Sequence, residues 1–334
     1  MMLDGFYGNT ALKNRLKASI KAGTLSHALL IEGEKGLGVG FLSRLIAASV
    51  LCERGGCGEC LSCRKAMRSI HPDIITLDRQ GEAIKVDDIR YIGETAAFYP
   101  NDAERKVYII KHAEKMNAAA QNALLKLLEE PPSFVTFILC TENRYKLLDT
   151  VLSRCVCLKV YPVSADEVTK YLTSHEGMKP AEAQSLSELS YGFIGRALTL
   201  QGKRELKRDS ERREFCLEFS ETLCFGREYD FLKLSKRFTS ERDKIKKENE
   251  DPALMFDMTE RLLSDVLHVL RGFPVLSYSS ERERLLRLGG RLTEQKISRL
   301  YMLCEDAKQQ ISRNINFNAC INTFLVRAWE AIND

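Results

Sequence analysis

The stretch Ala28-Leu-Leu-Ile-Glu-Gly33-Glu-Lys-Gly-Leu-Gly38-Val39-Gly40-Phe41 decides the fold. An apolar run, a glycine-rich loop and then apolar residues at helical spacing read as strand, loop and helix. In that setting backbone N–H groups and a helix N-terminus converge on a phosphate. Laid on the P-loop pattern G-x-x-x-x-G-K-[ST], Gly33 and Gly38 fall on the two glycines, but Val39 takes the lysine position and Gly40 the serine or threonine position. A nucleotide site also needs acids at the end of a second strand to hold Mg²⁺. Here the strand Val107–Ile110 is followed by Lys111 and His112. Each lost charge-assisted contact costs about 1.5 to 3 kcal/mol. A degenerate P-loop beside a degenerate Walker B segment therefore predicts no ATP in the chain's own cleft. Lys35 swinging inward is the one rescue open, and a bare glycine-rich turn is the plainer reading of the loop.

Working outward, Ala28–Ile31, Asp73–Leu77, Val107–Ile110, Phe134–Cys140 and Cys155–Val160 are short, nearly continuous apolar runs, as strands covered on both faces require. Helical stretches lie between them, notably Phe41–Leu51, Val86–Phe98 and Ala118–Glu129, the last stopped by Pro131 and Pro132. Residues 1–162 thus read as an α/β domain of alternating strands and helices, with a four-cysteine insert. Beyond Pro162 the strand signal ends. Residues 163–205 read as a small helical domain and 206–334 as an all-helical one, which suits a chain of 334 residues, too long for one core. The mixed-charge stretches Lys203–Glu214, Ser235–Asp251 and Ser280–Arg287 read as solvated helix faces and loops.

Cys52-x4-Cys57-x2-Cys60-x2-Cys63 places four thiols within twelve residues rich in glycine. This spacing suits a closed, tetrahedral structural zinc site, which leaves no open position for catalysis. An iron–sulfur cluster satisfies the same spacing. The other seven cysteines read as small buried hydrophobes. No apolar run reaches the roughly 18 to 20 residues of a membrane span, and Met1 to Asn9 carries no basic-then-apolar leader. A cytoplasmic protein without membrane contact is expected, with free thiols. The charge of +4, from 50 Lys+Arg against 46 Asp+Glu, is too small to announce DNA binding by itself.

Ser153-Arg154-Cys155 opens the last strand, where an arginine can reach a phosphate held by a neighbouring subunit; a surface arginine in a local salt bridge is the plainer reading. The motifs then fall into an order: Ser26-His-Ala-Leu-Leu30, the cysteine insert, His71-Pro-Asp73, Asn122-Ala-Leu-Leu-Lys-Leu-Leu-Glu-Glu-Pro-Pro132, Ser153-Arg-Cys155 and Gly192-Phe-Ile-Gly-Arg196. In that order, over about residues 8 to 200, the chain resembles the delta prime branch of the bacterial DNA polymerase III clamp-loader subunits, in the AAA+ family. The resemblance implies a RecA-like domain, a helical lid and a helical collar that assembles with delta and gamma/tau subunits. It also implies loading of the beta sliding clamp on primed DNA. By the same resemblance Arg154 inherits the role of an arginine finger acting in trans, Arg196 matches a lid arginine and Thr141 a polar sensor, both idle without nucleotide. The competing reading is an active gamma/tau-like motor that uses Lys35. A zinc-module DNA-binding protein is disfavoured, since the insert offers only Arg54, Arg64 and Lys65 and no aromatic platform.

Overall fold

The structure, a computed structural model, describes residues 1–333 except 81, 201, 202, 248–251, 274, 276 and 314. Contacts divide the chain into two units: residues 1–163 with 193–195, and residues 164–192 with 196–334.

In the first unit β1 (Ala28–Glu32), β2 (Ile74–Leu77), β3 (Lys106–Ile110), β4 (Val135–Thr141) and β5 (Val156–Lys159) form one parallel sheet in the order β2-β3-β4-β1-β5. The helices are α1 (Thr10–Lys21), α2 (Val39–Leu51), α3 (Leu61–Met67), α4 (Val86–Ala96), α5 (Ala118–Glu129) and α6 (Asp149–Leu152). The central strands β3 and β4 are buried at every residue, and their sequences, mostly β-branched, aromatic or aliphatic, reflect burial on both faces. The edge strand β5 exposes three of its four residues. On one face Tyr108, Ile110, Phe137 and Leu139 pack with Ile89 and Ile92 of α4 and Leu124 and Leu128 of α5. Each such buried side chain contributes about 1.5 to 3 kcal/mol. Helix α2 packs on β1, β3 and β4. Register pairs Glu32 with Thr141 and Ile110 with Leu139, so the carboxyl ends of β1, β3 and β4 deliver Gly33, Lys111 and Thr141 to one edge of the sheet.

Among its described residues the second unit holds helices and their connecting loops, with no strand. It comprises α7 (Ala165–His175), α8 (Pro180–Leu189), most of α9 (Ile194–Thr199), α10 (Lys203–Phe225), α11 (Glu228–Lys247), α12 (Leu254–Leu270), α13 (Arg282–Gly289), α14 (Glu294–Ser312) and α15 (Phe317–Asn333). Its centre is aromatic: Phe215 and Phe219 of α10 meet Phe238 of α11 edge to face, and Phe256 of α12 meets Phe324 of α15 likewise, each pair at 5.0 Å. The expected boundary near 205 falls within α10.

Three expectations need correction. Helix α2 begins at Val39, two residues before Phe41, because Gly38 at φ 81° turns the chain directly into it. Lys203–Glu214 is not a solvated face throughout: Asp209, Arg212 and Arg213 are buried, with Arg196 of α9 and Glu188 of α8 pairing with Asp209 and Arg213, and Arg212 pairing with Asp209 within α10. Cys157 is exposed on the edge strand rather than buried. The end of the stretch expected at Ser235–Asp251, residues 248–251, lies outside the described residues.

Candidate functional site

The chain leaves β1 at Glu32 and enters the loop at Gly33, whose N–H donates to the Thr141 carbonyl at 3.0 Å. A Cβ on Gly33 would lie 2.8 Å from Val39 Cγ2 and 3.2 Å from Val160 Cβ. The isopropyl group of Val39 therefore packs against the first residue of the loop, apolar where a triphosphate needs charge. Gly38, the N-cap of α2, takes the left-handed backbone a side chain resists, and a Cβ there would meet Phe6 Cε2 at 3.2 Å. Lys35 is exposed on the outer turn of the loop.

At the end of β3, Lys111 Nζ pairs with Asp78 Oδ2 at 2.9 Å and holds the Asp78 carboxyl below its ordinary range. The Lys111 Cε lies 3.9 Å from the position a Cβ on Gly40 would take, so this cationic side chain runs past the first turn of α2. His112, at φ 52°, follows with Nδ1 3.6 Å from Glu114 Oε1. The nearly buried Glu114 is engaged in turn, accepting from Thr141 Oγ1 at 2.8 Å. Asp78 and Glu114 were not singled out in the sequence, because each lies off the motif positions and is recruited by the sheet's register.

The strand start beyond α6 presents Arg154, about one-third exposed. Its Nη2 lies 2.5 Å from Glu129 Oε1, and its Nη1 donates to the Thr150 carbonyl at 2.8 Å and reaches Ser153 Oγ at 3.4 Å. Ser153 is exposed and Cys155 partly buried, with burial pushing the Cys155 thiol up to about 12. Arg196 belongs to the second unit for its contacts: Nη2 meets Asp209 Oδ2 at 2.6 Å and the guanidinium stands over the Tyr191 ring at 4.7 Å. Those contacts occupy it structurally.

Cys52, Cys57, Cys60 and Cys63 do come together, their sulfurs all within 4.8 Å of one another. Cys52 Sγ is 3.7 Å from both Cys57 Sγ and Cys60 Sγ. Four thiolates about 2.3 Å from one tetrahedral zinc stand about 3.8 Å apart. The spacing fits a single ion. An iron–sulfur cluster interposes several irons and sulfides and would hold its thiolates farther apart. Backbone N–H groups of Cys57, Cys60 and Cys63 donate to the sulfurs of Cys52, Cys57 and Cys60 at 3.4 to 3.5 Å, as thiolate ligands require. Cys57 is held down to about 6 by the N–H groups of Cys60 and Glu59. Cys52 is lowered too: burial opposes the shift and the N–H groups of Cys57, Gly56 and Arg54 overcome it. Burial pushes Cys63 up. Four sulfurs this close demand a cation to remain together as thiolates.

Behind this knuckle the His71-Pro-Asp73 motif forms a knot. The buried Asp73 accepts from the Asn101 N–H at 2.6 Å, the Asp102 N–H at 2.7 Å and the Ala103 N–H at 2.9 Å. His71 Nδ1 accepts from the Asp73 N–H at 3.1 Å, so its proton sits on Nε2 and is donated to Ser62 Oγ at 3.0 Å. Ser62, next to Cys63, links the four-cysteine turn to the segment that opens β2.

Residues 8–164 match the protein family described as "DNA polymerase III, delta subunit". Over 302 residues the chain is 29% identical to DNA polymerase III subunit delta′ of Bacillus subtilis, covering 89% of each. It is 32% identical over 201 residues to DNA polymerase III subunit gamma of Buchnera aphidicola, covering 57% of this chain and 54% of that one, so it spans about half of that relative's length. Among solved structures it is similar to the Thermotoga maritima RuvB Holliday junction branch migration motor, with TM-score 0.45 and 17% identity over 67% of this chain and 80% of that chain.

Proposed function

We propose that this chain, a member of the delta prime family of DNA polymerase III clamp-loader subunits, is a stator of that loader and not an ATPase. In this reading residues 1–162 are an AAA+ RecA-like domain with a zinc-binding insert, residues 163–205 a lid and residues 206–334 a collar that joins delta and gamma/tau partners. The chain acts in the cytoplasm, holds no ATP, and presents Arg154, with Ser153 and Cys155, to ATP bound by an adjoining motor subunit. There the guanidinium offsets charge gathering on the transferred phosphoryl group. Turnover then drives placement of the beta clamp on primed DNA through the assembled ring. Zinc held by Cys52, Cys57, Cys60 and Cys63 is structural and fixes the turn between α2 and α3.

The observation that carries this reading is a contrast between two charges. The lysine position of the loop is filled by Val39 packed on Gly33, and Lys111, paired with Asp78, stands beside the start of α2 where an acid would hold Mg²⁺, so the chain's own cleft lacks the groups that grip triphosphate and metal. Arg154 meanwhile remains partly open to an outside anion. Substituting Arg154→Ala is expected to lower the DNA- and clamp-stimulated ATPase of the reconstituted loader by about tenfold or more at the site it faces, with assembly intact by native mass. Unchanged turnover overturns the finger. Equilibrium titration of the isolated chain with Mg-ATP tests the rest. Tight binding abolished by Lys35→Ala would make the protein a motor subunit instead.

A further inference from the structure

Glu129 and Glu130 close α5 with two carboxylates at the helix's negative end, where only Lys126 supplies a basic side chain in the last turn. Helix-dipole electrostatics disfavours acids there, and a local rule broken without local gain points to a requirement elsewhere. The requirement is met by Arg154: its Nη2 sits 2.5 Å from Glu129 Oε1. Resting on the reading of Arg154 as a finger, we propose that Glu129 is the positioning residue that parks it, a latch that holds the guanidinium until a phosphate of greater charge takes it over.

The backbones on both sides of the pair are fixed. Buried Gln121 of α5 donates to the Lys146 carbonyl at 3.3 Å and accepts from the Leu148 N–H at 2.7 Å, tying α5 to the segment that leads into α6. His27 Nε2 meets the Leu128 carbonyl at 3.0 Å, which pins the last turn of α5 one residue before Glu129. Leu124, Leu128, Leu147 and Val151 share one buried cluster beneath. The pair itself is made by side-chain tips, and Arg154 Nη1 also donates to the Thr150 carbonyl at 2.8 Å, which leaves Nη2 to Glu129. Both are accessible, Glu129 at 48% and Arg154 at 34%. An ion pair this exposed is weak and salt-sensitive, whereas an arginine–phosphate contact is charge-assisted and bidentate. Exchange from carboxylate to phosphate therefore runs downhill, yet the carboxylate competes at rest.

The test uses the reconstituted loader carrying this chain as wild type, Glu129→Gln, Arg154→Ala or both. Glutamine keeps the size and removes the charge. Glu129→Gln is expected to raise ATPase turnover without DNA or clamp by about two- to fivefold. The gain should shrink at high salt and vanish in the Arg154→Ala background. A merely structural Glu129 would not give that pattern. If Glu129→Gln leaves turnover unchanged or lowers it while Arg154→Ala still impairs the loader, the latch is overturned and the finger stands. If Arg154→Ala has no effect, both fall together.

Discussion

At the scale of single residues, the knot at His71 and Asp73 shows how burial and charge are reconciled. Burial works against ionisation of Asp73, but the N–H groups of Asn101, Asp102 and Ala103 overcome it and hold the carboxyl below its ordinary 3.8. Asp73→Asn would turn an amide NH₂ toward two backbone N–H donors and leave them unpaired. The expected cost is about 3 kcal/mol of unfolding free energy, measured by urea denaturation; a loss below about 1 kcal/mol would mean that the loop 101–103 is held otherwise. The same knot predicts a pH dependence. Burial lowers the His71 imidazole below 6.5, so the unfolded chain binds a proton that the native state refuses. His71's contribution is complete above 6.5 and declines as pH falls below it; Asp73 adds a second decline below 3.8. A His71→Gln variant, compared with wild type at matched zinc saturation, should show a stability difference that changes between pH 7 and 5.5. A flat difference would place the histidine's proton elsewhere. None of the 101–103 partnership was visible in the sequence, since it joins positions about thirty residues apart through the pairing of β2 with β3.

At the scale of elements, legibility follows how local the cause is. The strands could be read because a sheet covered on both faces takes short, mostly apolar runs, clearest in the buried β1, β3 and β4, and the stop of α5 because two prolines follow it. The four-cysteine cluster could be read because all its thiols lie within twelve residues. The partners of Lys111 and Arg154 could not, because Asp78 and Glu129 are supplied by neighbouring elements. The knuckle also carries its own prediction. Helix α3 has seven residues, too short to stand alone in water, and its N-cap is Cys60 of the proposed zinc site. Removing the ion with a chelator should release this turn and helix, lowering the melting temperature while most far-UV helical signal survives. Metal analysis should return one zinc per chain, and cobalt substitution should give the thiolate-to-metal absorption of a tetrahedral sulfur site. Iron with acid-labile sulfide would instead identify a cluster and overturn the single-ion assignment.

At the scale of the whole molecule, the question is what knits the helical unit, where composition misled: charged residues in α10 that resemble a solvated face are its internal rivets. Arg213 stands over the Tyr278 ring at 4.5 Å with Nη1 3.4 Å from Glu188 of α8, and Asp209 meets Arg196 of α9. These contacts join residues before 200 to residues after 206, so the segments proposed as lid and collar are welded by desolvated charge. Removing one partner strands the other in a medium that cannot solvate it, which costs about 3 kcal/mol or more. Arg213→Ala in the full chain is therefore expected to lower the melting temperature of this unit by about 10 °C, with the far-UV signal of the folded state unchanged. The pair Arg271 and Glu294 has good geometry, 2.7 Å, but both side chains are half exposed. Water and salt already serve those charges, so Arg271→Ala should leave the transition where it was. Equal shifts for the two variants would mean that burial adds nothing to the Arg213 contacts; a shift confined to Arg213→Ala makes the lid and collar one mechanical body, able to carry a strain applied at one end to the other.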